Sequence, residues 1–313
     1  MLPSPVDADN HSVDIMSKSE SPKALVFESK SSISIFSGDG PADHLNNILT
    51  GDVSKLADGG RVDALVCDSN GRVRDVLSCF GIGNEIIVLG IYENMADTRS
   101  LLTAGIPWNK DLVLYDGNDA LRHFMIHGDE AMELIKLLYP EIGEFPDNKF
   151  VSIGDVIVSK NSISHGRHID IIYRSDDDSF MSRILENSVD VGAYEEWEVV
   201  RMQSRFPSAK EVDGTHLPSD IGLGELVSLN KGCYPGQEIH ARLDSRGSEK
   251  KHIVTITSYE PIALGKSRLE GGLAIEVTSA TEFGDRHIAL AVAPKQISKG
   301  PVLTSIGQEY EIA

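Results

Sequence analysis

The chain reads as α+β. Three observations carry that reading: an Asn70-Gly71 turn between two extended runs, amphipathic helical segments interleaved with strands before residue 210, and the loss of helical period from residue 252 onward. In order, residues 23–28 and 32–36 are strand candidates, and Pro41 opens a helix through residue 49, because proline is tolerated in a first turn. Gly51-Asp52 turns the chain, with Asp52 bonding local backbone amides. Residues 62–67 and 73–80 flank Asp68-Ser69-Asn70-Gly71 and form a hairpin, since Asn-Gly adopts the positive φ angles of a two-residue turn at little cost.

A strand over 85–92, a helix over 94–103, a strand over 112–115 and an amphipathic helix over 129–138 follow. Residues 151–158 and 168–173 form another extended pair, succeeded by helices over 179–187 and 193–203, where Trp197 is assigned to core. Short extended runs at 252–258, 273–278, 286–292 and near 302, separated by Gly and Pro, predict a small β-barrel. The expected division is a disordered tail over 1–22, an α+β region over 23–247 and a barrel over 248–313.

With 313 residues, 41% of them hydrophobic, the chain can support two or three cored domains. Its 48 acidic against 29 basic side chains give a net charge of -19, which repels phosphate backbones and anionic lipid; neither nucleic acid nor membrane is expected as a partner. No apolar run approaches the roughly 18 residues of a membrane span. Residues 1–22 contain Asp7, Asp9, Asp14 and Glu20 but no arginine, unlike a transit peptide. Three cysteines, Cys67, Cys79 and Cys233, fit neither a paired framework nor zinc spacing, so a reducing cytoplasm is expected.

The chemistry is sought in Lys231-Gly232-Cys233-Tyr234-Pro235-Gly236-Gln237-Glu238. Gly232 and Gly236 permit a shaped loop and Pro235 stiffens it, while the Lys231 ammonium would favour the thiolate of Cys233. His240 either tunes that thiol or sits on a strand surface. Other motifs fail: Gly81-Ile82-Gly83 is followed by Ile86 where a dinucleotide loop needs glycine, His165-Gly166-Arg167-His168 lacks metallopeptidase spacing, and no serine elbow occurs.

The octapeptide, with the His240-Ala241-Arg242 and Arg246-Gly247 that follow, resembles the signature of the YgfZ-type folate-binding family, itself related to the glycine cleavage T-protein, an aminomethyltransferase. The resemblance extends through Leu49 to Val53, Cys67 to Val73, Pro218 to Leu223 and Val277 to Ser279. It implies an aminomethyltransferase-like folate-binding fold: two intertwined α/β subdomains plus a C-terminal β-barrel around a central opening. It also implies a tetrahydrofolate-binding accessory factor for iron-sulfur cluster assembly or repair. Cys233 would then be the essential thiolate, sharing a transient cluster with assembly or client proteins. The alternative it implies is a folate-dependent one-carbon transferase in which Asp75 orients an aminomethyl group; an ordinary strand-edge aspartate is an equal reading. The Glu and Gly that the family places at the end of a pterin-receiving helix are here Gln203 and Arg205, so either Asp220 supplies the missing carboxylate or Gln203 merely faces solvent. Gln237 and Glu238 join the cofactor candidates, and Arg242 and Arg246 are candidates for the anionic folate tail.

Overall fold

The computed structural model describes residues 24–313 apart from 55, 144–145, 147, 162, 164–167, 248–249 and 298; the tail over 1–22 lies outside the described residues. The chain opens one sheet with β1 (Leu25–Glu28) and then leaves to build a second from β2 (Ser31–Gly38), β3 (Arg61–Cys67), β4 (Val73–Ile82), β5 (Glu85–Ile91) and β6 (Leu112–Asp116). Helices α1 (Pro41–Asn46) and α2 (Met95–Thr103) fall within this stretch. It then returns to the first sheet with β7 (Leu121–His127), α3 (Ala131–Leu138), β8 (Phe150–Ile153), β9 (Val156–Asn161), β10 (His168–Arg174) and α4 (Ser179–Glu186). The sheet orders, β1-β7-β10-β9-β8 and β3-β4-β5-β2-β6, make the two halves interleaved, with antiparallel neighbours throughout.

Each sheet buries one face under its helices. Leu134, Ile135 and Leu138 of α3 and Phe180 and Ile184 of α4 pack on Ile126, Val158 and Ile171, which is the period expected of a helix covering a sheet. Leu45 and Leu102 cover Leu77 and Val88 in the second sheet. The other faces meet through Ile33, Phe80, Ile87, Leu89, Ile157 and Ile172. Helix α5 (Tyr194–Gln203) lies beyond, followed by α6 (Gln237–Arg246).

The last region is a six-stranded sheet, β12 (Gly265–Arg268), β13 (Ala274–Phe283), β14 (Arg286–Pro294), β11 (Lys251–Ser258), β16 (Glu309–Ile312), β15 (Gly300–Leu303) in spatial order. Its two edges meet: the Glu270 N–H donates to the Leu303 carbonyl and Ser305 N–H to that of Arg268, which curls the sheet toward a barrel around Val254, Ile256, Ile275 and Tyr310. The expected barrel is therefore present, with β12 and β16 added.

Three expectations are corrected. Residues 151–158 are two strands rather than one, because Gly154 at φ 59° turns the chain between β8 and β9. Strand β7, unassigned from sequence, is central to the first sheet, pairing with β1 and β10. Helix α6, also unassigned, places His240 on a helix instead of a strand; it begins at Gly236, whose φ of 83° ends the Cys233 loop.

Candidate functional site

Where the two sheets and α5 converge, a cavity opens to solvent, with about 840 Å³ of empty space counted out to its mouth. The α5 face at 194, 197, 198 and 201 recurs at helical spacing, so Tyr194, Trp197, Glu198 and Arg201 share one wall. Trp197 lies in a ring cluster, 5.6 Å from Phe27, 5.3 Å from His168 and 5.7 Å from Phe206 by centroid; it lines the cavity with Phe206 instead of filling core, which corrects its sequence assignment. Arg201 is buried and grips Glu198 through Nε at 2.7 Å and a terminal nitrogen at 2.6 Å, a forked geometry that fixes both side chains.

The floor is polar and buried. Arg61 on β3 reaches across the sheet junction to Asp170 on β10 at 2.6 Å and also pairs with Asp63 at 3.0 Å. Asp170 further accepts from Asn161 Nδ2 at 3.0 Å and lies 3.0 Å from His123 Nε2. Burial opposes its charge, but Arg61 and His123 outweigh burial and hold the carboxyl well below the usual range. None of these floor residues was singled out from sequence: positions 61, 123 and 170 are far apart in the chain, and only the crossing of the two sheets brings them together.

Cys233 is exposed, whereas Cys67 and Cys79 are buried and burial pushes both thiols up to about 12. Its loop is anchored at both ends. Lys231 Nζ donates to the carbonyls of Leu49 at 2.5 Å and Gly51 at 2.6 Å, and partial burial draws the ammonium down to about 8 against the pull of Asp52. The ammonium thus holds the loop to the end of the first helical segment, a task different from the thiolate partner expected of it. At the other end, His240 Nε2 bonds the Gly71 carbonyl at 2.8 Å, and a Cβ on Gly236 would come within 2.5 Å of Gly71 Cα. The Asn70-Gly71 turn and the cysteine loop therefore touch backbone to backbone, which only glycines allow. Tyr234 is buried and packs the loop.

The remaining candidates are dispersed. Asp75 is fully buried, so the strand-edge reading fails; it sits behind Gly90 and Ile91 of the cavity wall and accepts from Thr98 Oγ1 at 2.5 Å, Val76 N at 2.8 Å and Ile91 N at 3.2 Å. Burial pushes its carboxyl up to about 7 despite those bonds. Gln203, the last residue of α5, is exposed and does not line the cavity. Asp220 accepts from Leu217 N at 3.3 Å and caps a short turn. Gln237 closes the cysteine loop toward the Lys231 carbonyl at 3.5 Å, and Glu238 and Arg242 are exposed on α6; none of the three lines the cavity, and the Arg246 side chain is outside what the structure describes. Asp52 accepts from Ser54 N at 3.2 Å, the turn role expected of it. Arg205 adopts φ 54°, the left-handed region where glycine is at home, so the glycine expected there has a backbone reason.

These elements define an aminomethyltransferase-like fold. The crystal structure of glycine cleavage system aminomethyltransferase T from Bartonella henselae matches with a TM-score of 0.74 at 15% identity, covering 93% of this chain and 85% of that one. No family model matches the chain. In sequence, the tRNA-modifying protein YgfZ of Klebsiella pneumoniae (strain 342) is 22% identical over 284 residues, 88% of this chain and 81% of that protein. An aminomethyltransferase of Caldanaerobacter subterraneus is 25% identical over 239 residues, 72% of this chain and 62% of that protein. The resemblance carried by the octapeptide is borne out as far as similarity goes: in sequence the chain is similar both to YgfZ proteins and to aminomethyltransferases, and its fold is aminomethyltransferase-like. No helix among the described residues is long and apolar enough to cross a membrane, and no group of three His, Cys, Asp or Glu side chains there could hold a metal.

Proposed function

We propose that the chain binds reduced folate, tetrahydrofolate, in the cavity between its sheets and acts as a cytoplasmic accessory factor in iron-sulfur cluster assembly or repair, with Cys233 as its essential thiolate. The observation that carries this reading is the cavity itself. Its residues suit a planar hydrogen-bonding ring: Trp197 and Phe206 offer aromatic surface, and Glu198 and Asp170 offer acceptors in a partly dry setting. Lys30, at the same cavity, is a cation for an anionic tail. In this reading Lys231 and Gln237 shape the loop that presents the thiol, while Glu238 and Arg242 on α6 meet a partner protein. Cys233 contributes no wall to the cavity, so thiol and folate would act at separate places. A cluster normally needs several thiolates, and here it would be shared with the partner.

The relatives' name points to tRNA modification, yet a net charge of -19 disfavours direct contact with tRNA; an indirect role through a cluster-containing enzyme fits better. Calorimetric titration of tetrahydrofolate, together with rescue of a cluster enzyme in a deletion strain by Cys233→Ser, tests the proposal. Absence of binding heat defeats the folate half, and full rescue defeats the thiolate half. A one-carbon transferase is the second reading, favoured by Asp75 behind the cavity wall with its carboxyl near 7. Turnover of an aminomethyl-lipoyl carrier protein would establish it.

A further inference from the structure

Three side chains stand in line on the cavity floor. Ser31 Oγ lies 2.8 Å from His123 Nδ1, and His123 Nε2 lies 3.0 Å from Asp170 Oδ1. Ser31 begins β2 in the second sheet, while His123 and Asp170 sit on β7 and β10 of the first, so the line crosses the sheet junction. Hydroxyl, imidazole, carboxylate is the order of nucleophile, base and orienter. Asp170, fixed by Arg61 and Asn161 and held ionised, draws the Nε2 proton toward itself and leaves Nδ1 as the acceptor for the Ser31 hydroxyl. The two ring nitrogens exchange the places they have in serine proteases, but the roles follow from the hydrogen bonds and not from the atom names.

Structure alone gives little reason for the line. Arg61 already has Asp63 and Asp170 as partners, and that cluster asks for neither His123 nor Ser31. Ser31 is only half-buried and borders both the central cavity and an adjoining hollow beside Tyr92 and Arg122, so its hydroxyl can be approached from two sides. The nearby wall of Val76, Ile91 and Met125 is apolar.

We propose that Ser31 is a nucleophile activated by His123 and positioned by Asp170, and that the cavity accepts a small activated acyl compound, an ester or thioester. In the first step Ser31 Oγ bonds the acyl carbon while its proton passes to His123 Nδ1. The bond from that carbon to the leaving alkoxide or thiolate then breaks, and the leaving group takes the proton from His123. Water repeats the sequence, releasing the carboxylic acid and restoring the Ser31 hydroxyl. The reaction itself needs no folate, and a folate seated in the same cavity would compete with the acyl compound.

The test is to treat the full chain with phenylmethanesulfonyl fluoride, whose fluoride departs as a serine oxygen bonds sulfur, and to locate the adduct by peptide mass spectrometry. The expected adduct is on Ser31, forming roughly 100-fold or more slowly in His123→Gln, the loss typical of a missing general base. A burst of one nitrophenolate per chain from p-nitrophenyl acetate should vanish in Ser31→Ala. Ser29→Ala, which removes a hydroxyl 2.9 Å from that of Ser31, should keep both signals and serves as the control should His123→Gln not fold. No adduct on Ser31 in the unaltered chain, an adduct forming equally fast in a folded His123→Gln, or a burst that survives Ser31→Ala overturns the proposal.

Discussion

Replacing Asp170 by Asn removes the carboxylate that joins the two sheets without changing side-chain size. The pair it breaks is buried, with side chains of Arg61 and Asp170 2% and 1% exposed, so water cannot take over the lost partner. Removing one member of a buried ion pair costs about 3–5 kcal/mol. Asp63, 3.0 Å from the same guanidinium, still neutralises part of the charge and places the loss near the lower figure. For a chain of this length about 2 °C per kcal/mol applies, giving a fall of about 6 °C in the calorimetric midpoint at pH 7. The pH dependence separates charge from packing. The folded carboxyl is held below its ordinary value, so its contribution is complete above the unfolded value near 3.9 and is lost as pH falls toward the folded one. The gap between parent and variant should therefore narrow below pH 4. A gap under about 1 °C at pH 7, or one that stays constant down to pH 3, would refute the electrostatic account.

Asp75 works in the opposite sense. Its folded carboxyl lies near 7, above the unfolded value, so the unfolded chain releases its proton first and stability falls between about pH 4 and 7, by at most about 1.4 kcal/mol per pH unit; Asp75→Asn should flatten that slope in denaturant titrations at several pH values. Gly236→Ala should cost about 2–5 kcal/mol, combining left-handed strain with overpacking against Gly71, and should expose the cysteine loop to limited proteolysis. Gln203→Glu should leave tetrahydrofolate affinity within about twofold, because the side chain is exposed off the cavity wall; a large gain in calorimetry would place it in the site after all.

What the sequence disclosed were local signals. The Asn70-Gly71 hairpin follows from two adjacent residues with one backbone requirement, and the α3 stripe of Leu134, Ile135 and Leu138 follows from helical spacing. Strand β7 was hidden because Arg122 and His123 interrupt its apolar run, and α6 because its residues are polar and it starts straight after a Gly/Pro loop. The resemblance pointed to Cys233, which is exposed, but could not show that Lys231 is turned toward the carbonyls of Leu49 and Gly51. The floor of the cavity was out of reach for a different reason. Arg61, His123 and Asp170 carry no periodic or motif signal, and their meaning comes only from two sheets crossing.

The double anchoring of the cysteine loop has a mechanical consequence. Lys231 ties it to the carbonyls after α1, and His240 ties it to the β3-β4 turn, both belonging to the second sheet. A load applied at the sulfur by a docking protein would pass into that sheet, and through Arg61 into its neighbour, so events at the thiol would be felt across the hollow between them.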